Sequence, residues 1–194
     1  MSNGERFKIL INITKTFWDR FILNIQGVAS IEFAIISPAI ALLFIGIVQL
    51  SWGLTVNRRV HQISNLTGDL IARTPITSSD ELEGIFRTHS LLMRPYDIEP
   101  LKMIATHVVA DLNSTSVCWS YTNSTDVAAY QTGATYELPE EILNKGESLI
   151  VIESEYLYRP ILFSLFVNEP ITFREKLFHA PRTSTTITLD GQEC

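Results

Sequence analysis

One acidic side chain in a long uncharged stretch is the residue of this sequence best placed to do chemistry. Glu32 lies in the run GVASIEFAIISPAIALLFIGIVQLSWGLTV, five residues after Gly27, and no charged residue follows it until Arg58. If a peptidase cut the chain after Gly27, the new α-amine would belong to Val28 and would carry a positive charge near neutral pH. Val28 and Glu32 are four residues apart, so on a helix they share one face.

An ammonium group and a carboxylate in lipid are each poorly solvated alone and much better solvated as a pair. The pair could form within one chain or between laterally packed helices, where it would set their axial register. The alternative is that Glu32 is merely tolerated, because a charge near the edge of a bilayer costs far less than a charge at its centre.

The other residues that could do chemistry show no catalytic spacing. The sequence has no H-E-x-x-H pair, no G-x-S-x-G, no P-loop and no G-x-G-x-x-G. Its four histidines are therefore expected on the surface or in packing roles. Glu140 and Glu141 are one conceivable carboxylate pair, and Glu153 and Glu155 are another, although on a strand the latter two would point the same way and form a solvated edge. We expect no enzyme and no cofactor.

The two cysteines, Cys118 and Cys194, indicate one disulfide if this part of the chain is exported. Closing so long a loop would stabilise the fold by roughly 4–5 kcal/mol in the chain-entropy model. Two unpaired cysteines are the alternative. Neither cysteine has a second one at C-x-x-C spacing, so no metal site is expected.

Residues 33–57 are 25 consecutive residues without a charge, and about 20 suffice for a helix to cross a bilayer. The run is too long for a secretory signal core and lacks a cleavage site of small residues after it, so it is expected to be an anchor.

Residues 1–27 carry a net charge of +2, which leaves −8 for the rest of a chain of net charge −6. This asymmetry favours a cytoplasmic N-terminus and an exported remainder. The acidic remainder argues against nucleic acid as a partner.

The elements around the anchor follow from periodicity. The anchor helix is expected to continue to residue 74, where Pro75 ends it, and to carry an amphipathic stripe that packs on the protein's own soluble part. That stripe comprises Val56, Val60, Ile63, Leu66 and Leu70. A second helix is expected over residues 80–93, with Ser78 and Glu81 at capping-box spacing.

The chain beyond Glu99 has the alternating apolar pattern and the β-branched and aromatic residues typical of β-strands. Strands are expected at SVCWSY, with Val117, Trp119 and Tyr121 on one face, at SLIVIESEYLY and at TSTTITL. Residues 101–112 fit helical spacing as well, but a hairpin with residues 116–121 is the more natural interpretation. PILFSLFVNEP, from Pro160 to Pro170, could be a short helix or an apolar loop. The expected fold class is α+β: a long N-terminal helix followed by a small antiparallel-sheet head.

The sequence contains four N-x-T matches, at Asn12, Asn65, Asn113 and Asn123. They support an alternative of a different class, a single-pass glycoprotein with an uncleaved signal anchor. A membrane-tethered binding or enzymatic domain is a further alternative, and it would need neither cleavage nor Glu32.

Gly27 followed by four residues and then Glu32-Phe33, leading into the apolar helix, resembles the processing site of type IV pilins and pseudopilins. With Pro38 a few residues on, residues 24–66 resemble the TadE-like family, minor pilin-like proteins of the bacterial tight-adherence (Tad, or Flp) pilus system. The resemblance implies cleavage between Gly27 and Val28 by a prepilin peptidase, retention of the helix, and assembly contacts through Glu32 and Phe33. Pro38 would permit a kink in that helix.

The resemblance also divides the chain and names its partners. Residues 1–27 would be a cleaved cytoplasmic leader, 28–74 the transmembrane helix with its amphipathic extension, and 75–194 a periplasmic head. The implied partners are the prepilin peptidase, a related minor pilin subunit, the pilus assembly platform, the major pilin and the lipid of the inner membrane.

Overall fold

The fold is described from a computed structural model, which covers residues 27–111, 114–139, 142–160, 169–192 and 194. The elements in chain order are helix α1 (Val28–Arg73), strand β1 (Ile76–Thr77), helix α2 (Ser79–Met93), and strands β2 (Leu101–Ala110), β3 (Thr115–Thr122), β4 (Ser148–Tyr158), β5 (Ile171–His179) and β6 (Thr188–Leu189). The predicted α+β class is confirmed. The expected leader and the segment 161–168 within PILFSLFVNEP lie outside the described residues.

The chain divides into two compact units, one ending at Val48 and one beginning at Gln49. In the first unit, α1 consists of apolar and small residues with the carboxylate of Glu32 near its start. By length and composition α1 could cross a membrane, and no part of its most apolar 18-residue window is buried by the residues that the structure describes. Among the described residues it is the one helix that meets these criteria.

In the second unit, the remainder of α1 packs on the sheet. Val56, Val60 and Ile63 are buried, as the stripe predicts. Leu66 and Leu70 are 40% and 38% exposed, so this part of the prediction is wrong. The buried line runs instead through Thr67 and Ile71, because residues spaced by four stay on one face of a helix. Thr67 is accommodated there since its hydroxyl bonds the Ile63 carbonyl and His89.

The second helix begins where its sequence predicts. Ser78 is the N-cap of α2: its hydroxyl accepts a hydrogen bond from the Glu81 backbone N–H, and the Glu81 carboxylate accepts one from the Ser78 N–H. This reciprocal pair satisfies two N–H groups that a helix start otherwise leaves without partners.

The main sheet has the strand order β3-β2-β4-β5, with every neighbouring pair antiparallel. Residues 101–110 form strand β2, which pairs antiparallel with β3 as a hairpin, rather than a helix. The face of the sheet that packs with the helices carries alternate residues of the central strands. They include Met103, Ala105, Ile150, Ile152 and Tyr156. Each large aliphatic side chain buried in this way contributes roughly 1.5–3 kcal/mol.

Three features of the sheet differ from the predictions. The β2–β3 register shifts between His107 and Val108, so that Cys118 is an extra residue, a β-bulge. Val117 therefore packs on the opposite face from Trp119, and the expectation that they share a face is wrong. Strand β5 was not predicted. TSTTITL forms only the two-residue strand β6, which pairs parallel with β1.

Candidate functional site

The residues predicted to do chemistry lie in the first turns of α1. The helix begins at Val28, directly after Gly27, so Glu32 is one turn further on and on the same face. The side chains of Val28 and Glu32 are exposed, and that of Phe33, beside Glu32, is 68% exposed. The structure thus places Val28, Glu32 and Phe33 together, at exposed positions, at the start of α1.

Pro38 lies inside α1, which continues through it to Arg73. A proline in a helix removes one backbone hydrogen bond, here to the carbonyl of Ala34, and permits a bend. Neighbouring groups in lipid or in a packed bundle can satisfy the freed carbonyl.

The surface of α1 around these residues is apolar on all sides and is exposed among the described residues. The large side chains on it are 53–73% exposed. They are Ile31, Phe33, Ile35, Ile36, Ile40, Leu42, Leu43 and Phe44. An apolar surface this large and continuous marks a site of membrane or protein contact.

Glu153 and Glu155, the conceivable carboxylate pair on strand β4, each have structural partners. Tyr130 and Tyr136 each donate a hydroxyl hydrogen bond of 2.9 Å to Glu153, and the Lys176 ammonium lies 3.3 Å from the same carboxylate. Burial, followed by the contact with Glu153, raises the pKa of Tyr130 to about 12. Glu155 pairs with Arg174 at 2.9 Å.

Strand β4, which carries both glutamates, is an interior strand of the sheet. The expectation of a solvated edge is therefore wrong, because β5 covers the edge of β4 and supplies the two cations. Glu140 and Glu141 lie outside the described residues.

Two of the four histidines are buried, in the packing role that the sequence analysis allows. His89 Nε2 lies 2.8 Å from Thr67 Oγ1, and His107 lies in the sheet with its ring centroid 5.7 Å from that of Trp119. Burial lowers the pKa of both imidazoles to about 4. His61, by contrast, is exposed and lies 3.5 Å from Glu175.

The predicted disulfide is present: Cys118 on the bulge of β3 is joined to Cys194. Sequence analysis missed the third member of this cluster. The Nδ1 atom of His107 lies 3.5 Å from Sγ of Cys194. No spacing in the sequence indicates this contact, because it depends on the β2–β3 register.

The described N-x-T asparagines do not favour glycosylation. Asn123 accepts a hydrogen bond from the Met103 N–H at 2.8 Å and donates one to the Leu101 carbonyl at 3.1 Å, so its amide already joins β2 to the end of β3. Asn65 lies within α1. Asn12 and Asn113 are outside the described residues.

Comparison with protein families assigns the segment that holds these features. Residues 27–65 match the family described as TadE-like protein. No curated protein and no solved structure matches the chain. The matched segment starts at Gly27, contains Glu32, Phe33 and Pro38, and extends into the part of α1 that packs on the sheet. The resemblance to the TadE-like family seen in the sequence is confirmed over this segment.

Proposed function

We propose that this protein is a minor pilin or pseudopilin that takes part in assembly of a Tad, or Flp-type, adhesive pilus. The observation that carries the proposal is the family match beginning at Gly27, directly before a helix whose first turns expose large apolar side chains among the described residues. A subunit that is stored in a membrane before assembly, and then packs into a helical bundle, needs such a surface. Lipid covers it first and neighbouring helices cover it afterwards.

Maturation creates the polar contact of this assembly. A prepilin peptidase cuts after Gly27 and leaves Val28 as the N-terminal residue, with its ammonium group one helical turn from Glu32. In lipid, each of these charges strongly favours a partner of opposite sign. A contact between the amine of one helix and the carboxylate of a neighbour fixes how far the helices slide along each other.

The orientation follows from charge and cysteine chemistry. The leader is cytoplasmic, since it carries the net positive charge, and the head, residues 75–194, is periplasmic, where a disulfide such as Cys118–Cys194 persists. Its partners are a related minor subunit, the assembly platform and the major pilin. The protein works by association rather than by catalysis.

Two substitutions in the natural host test the proposal. Gly27→Leu is expected to leave a full-length precursor, because a bulky side chain replaces hydrogen at the cleavage site. Glu32→Ala is expected to be inserted in the membrane and to abolish pili, counted by electron microscopy. Ser30→Ala is the matched control, since Ser30 is exposed on the same turns of α1 and carries no charge.

The two substitutions address separate parts of the proposal. Normal maturation of Gly27→Leu would contradict the cleavage site. Pili at wild-type number in the Glu32→Ala strain, or equal loss in the Ser30→Ala strain, would contradict the assembly role of the carboxylate.

A further inference from the structure

Three potential ligand atoms for a soft cation meet where the hairpin contacts the end of the chain. His107 lies on β2, Cys118 is the bulge residue opposite it on β3, and Cys194 reaches both. The Nδ1 or Nε2 atom of the histidine and the two sulfur atoms all lie within 4.8 Å of one another. His107 and Cys118 are buried, whereas Cys194 is exposed and so provides an entry path.

The imidazole of His107 is fully buried, yet it makes little use of its polar atoms. Its Nε2 atom has no hydrogen-bond partner among the described residues. Its Nδ1 atom faces sulfur, a weak hydrogen-bonding atom, at 3.5 Å. Burying polar nitrogen without a good partner is unfavourable. Packing against Trp119 accounts for the position of the ring but not for the direction of Nδ1.

The spacing suits a tetrahedral metal site once the disulfide is opened. With Zn–S bonds of about 2.3 Å and a Zn–N bond of about 2.0–2.1 Å, ligand sulfur and nitrogen lie about 3.6 Å apart and two sulfurs about 3.8 Å apart. The observed distance from Nδ1 to the Cys194 sulfur already meets the first requirement. Once the disulfide is opened, the exposed Cys194 side chain can rotate to bring its sulfur to the second distance.

We propose that the reduced protein binds one Zn²⁺ or a similar soft divalent cation through His107 Nδ1 and the thiolates of Cys118 and Cys194, with water as the fourth ligand. A dithiol or phosphine reductant supplies the two electrons that convert the disulfide to two thiols, and is itself oxidised. The cation then replaces the two thiol protons, which pass to solvent. Disulfide and metal are mutually exclusive ways of holding Cys194 to the sheet.

The test uses the full chain in detergent, reduced by a phosphine and freed of excess reductant under inert gas. Cd²⁺ is titrated in and followed by its thiolate charge-transfer absorption, and Zn²⁺ is measured by competition with a chromogenic chelator. We expect one ion per reduced chain and at least 100-fold weaker binding to the oxidised chain. Saturating Zn²⁺ should raise the melting temperature of the reduced chain by about 5–10 °C.

Three variants separate this site from adventitious binding. His107→Gln and Cys194→Ser should each weaken binding at least tenfold, whereas His89→Gln, which removes a buried histidine elsewhere, should bind like the wild type. Wild-type affinity in both His107→Gln and Cys194→Ser would overturn the proposal. It would also be overturned if the reduced chain bound no ion, or if it lost its near-ultraviolet circular dichroism and Zn²⁺ did not restore it.

Discussion

Gly68 of helix α1 lies directly against the imidazole of His179 on strand β5. A Cβ atom at position 68 would overlap the Cδ2, Nε2 and Cγ atoms of that ring. Glycine here is a requirement of close approach, because it lets the helix backbone sit on the side chain at the end of an edge strand. This contact joins α1 to the strand of the sheet farthest from β3.

Gly68→Ala is therefore expected to destabilise the protein by about 1–3 kcal/mol, the usual cost of overpacking a filled site. This loss exceeds the roughly 0.5–1 kcal/mol that alanine gains over glycine inside a helix. Gly84→Ala in α2 is the matched control, because nothing lies within 4 Å of a Cβ built there. It should be neutral or stabilising. Chemical denaturation of the three proteins measures both effects.

Removing the His179 ring should relieve the clash. In a double-mutant cycle, Gly68→Ala should change the free energy of unfolding very little when it is made in the His179→Ala background. An equal effect of Gly68→Ala with and without the His179 ring would rule out this contact as the cause.

Stability should fall in mild acid because of the buried histidines. Burial lowers the pKa of His89 and of His107 from 6.5 to about 4. Between these values the unfolded chain binds protons that the folded chain does not. Each histidine thus makes its full contribution above pH 6.5, and each reduces the free energy of unfolding by up to about 1.4 kcal/mol per pH unit as the pH falls toward 4.

His89→Gln should reduce this slope, measured by denaturation at pH 7, 6 and 5. Thr88→Ala serves as the control, because Thr88 is exposed beside His89 on α2 and does not titrate, so its removal should leave the slope unchanged. An unaltered slope in His89→Gln would show that the acid sensitivity arises elsewhere.

The disulfide should matter for stability as well. Cys118 and Cys194 are separated by 76 residues, and loops of this length correspond to about 4–5 kcal/mol in the chain-entropy model, with about 2–5 kcal/mol typical on removal. The free energy of unfolding of Cys194→Ser should be lower than that of the oxidised wild type by this amount, at neutral pH in the presence of a chelator. Reduction should lower the free energy of unfolding of the wild type to that of the variant, and it should not change that of the variant. Equal stability of variant and oxidised wild type would contradict the expectation.

Local signals in the sequence predicted much of the fold. The membrane-length run, Pro75, and the capping box of Ser78 and Glu81 mark α1 and α2 by chemistry within a few residues. Residues 101–110 were ambiguous because their apolar positions suit a helix too, and pairing with β3 decides in favour of a strand. Strand β5 was missed although Ile171, Phe173 and Leu177 alternate, because Glu175 interrupts the apolar face.

Features that depend on register could not be predicted. The bulge at Cys118 reverses the facing of Val117 and brings His107 next to the sulfurs, and no periodicity within a single strand encodes it. The contact between Gly68 and His179 joins residues more than 100 positions apart in the chain. The candidate assembly residues, in contrast, are contiguous, so Gly27, Val28 and Glu32 could be identified from spacing alone.

The most direct test of the account is the intact mass of the protein purified from membranes of its natural host, together with its N-terminal sequence. The account predicts a mature chain that begins at Val28 and lacks the first 27 residues, so that a free amine is available to Glu32. A mature chain that begins at Met1 would contradict it, since no amine would then lie beside that carboxylate.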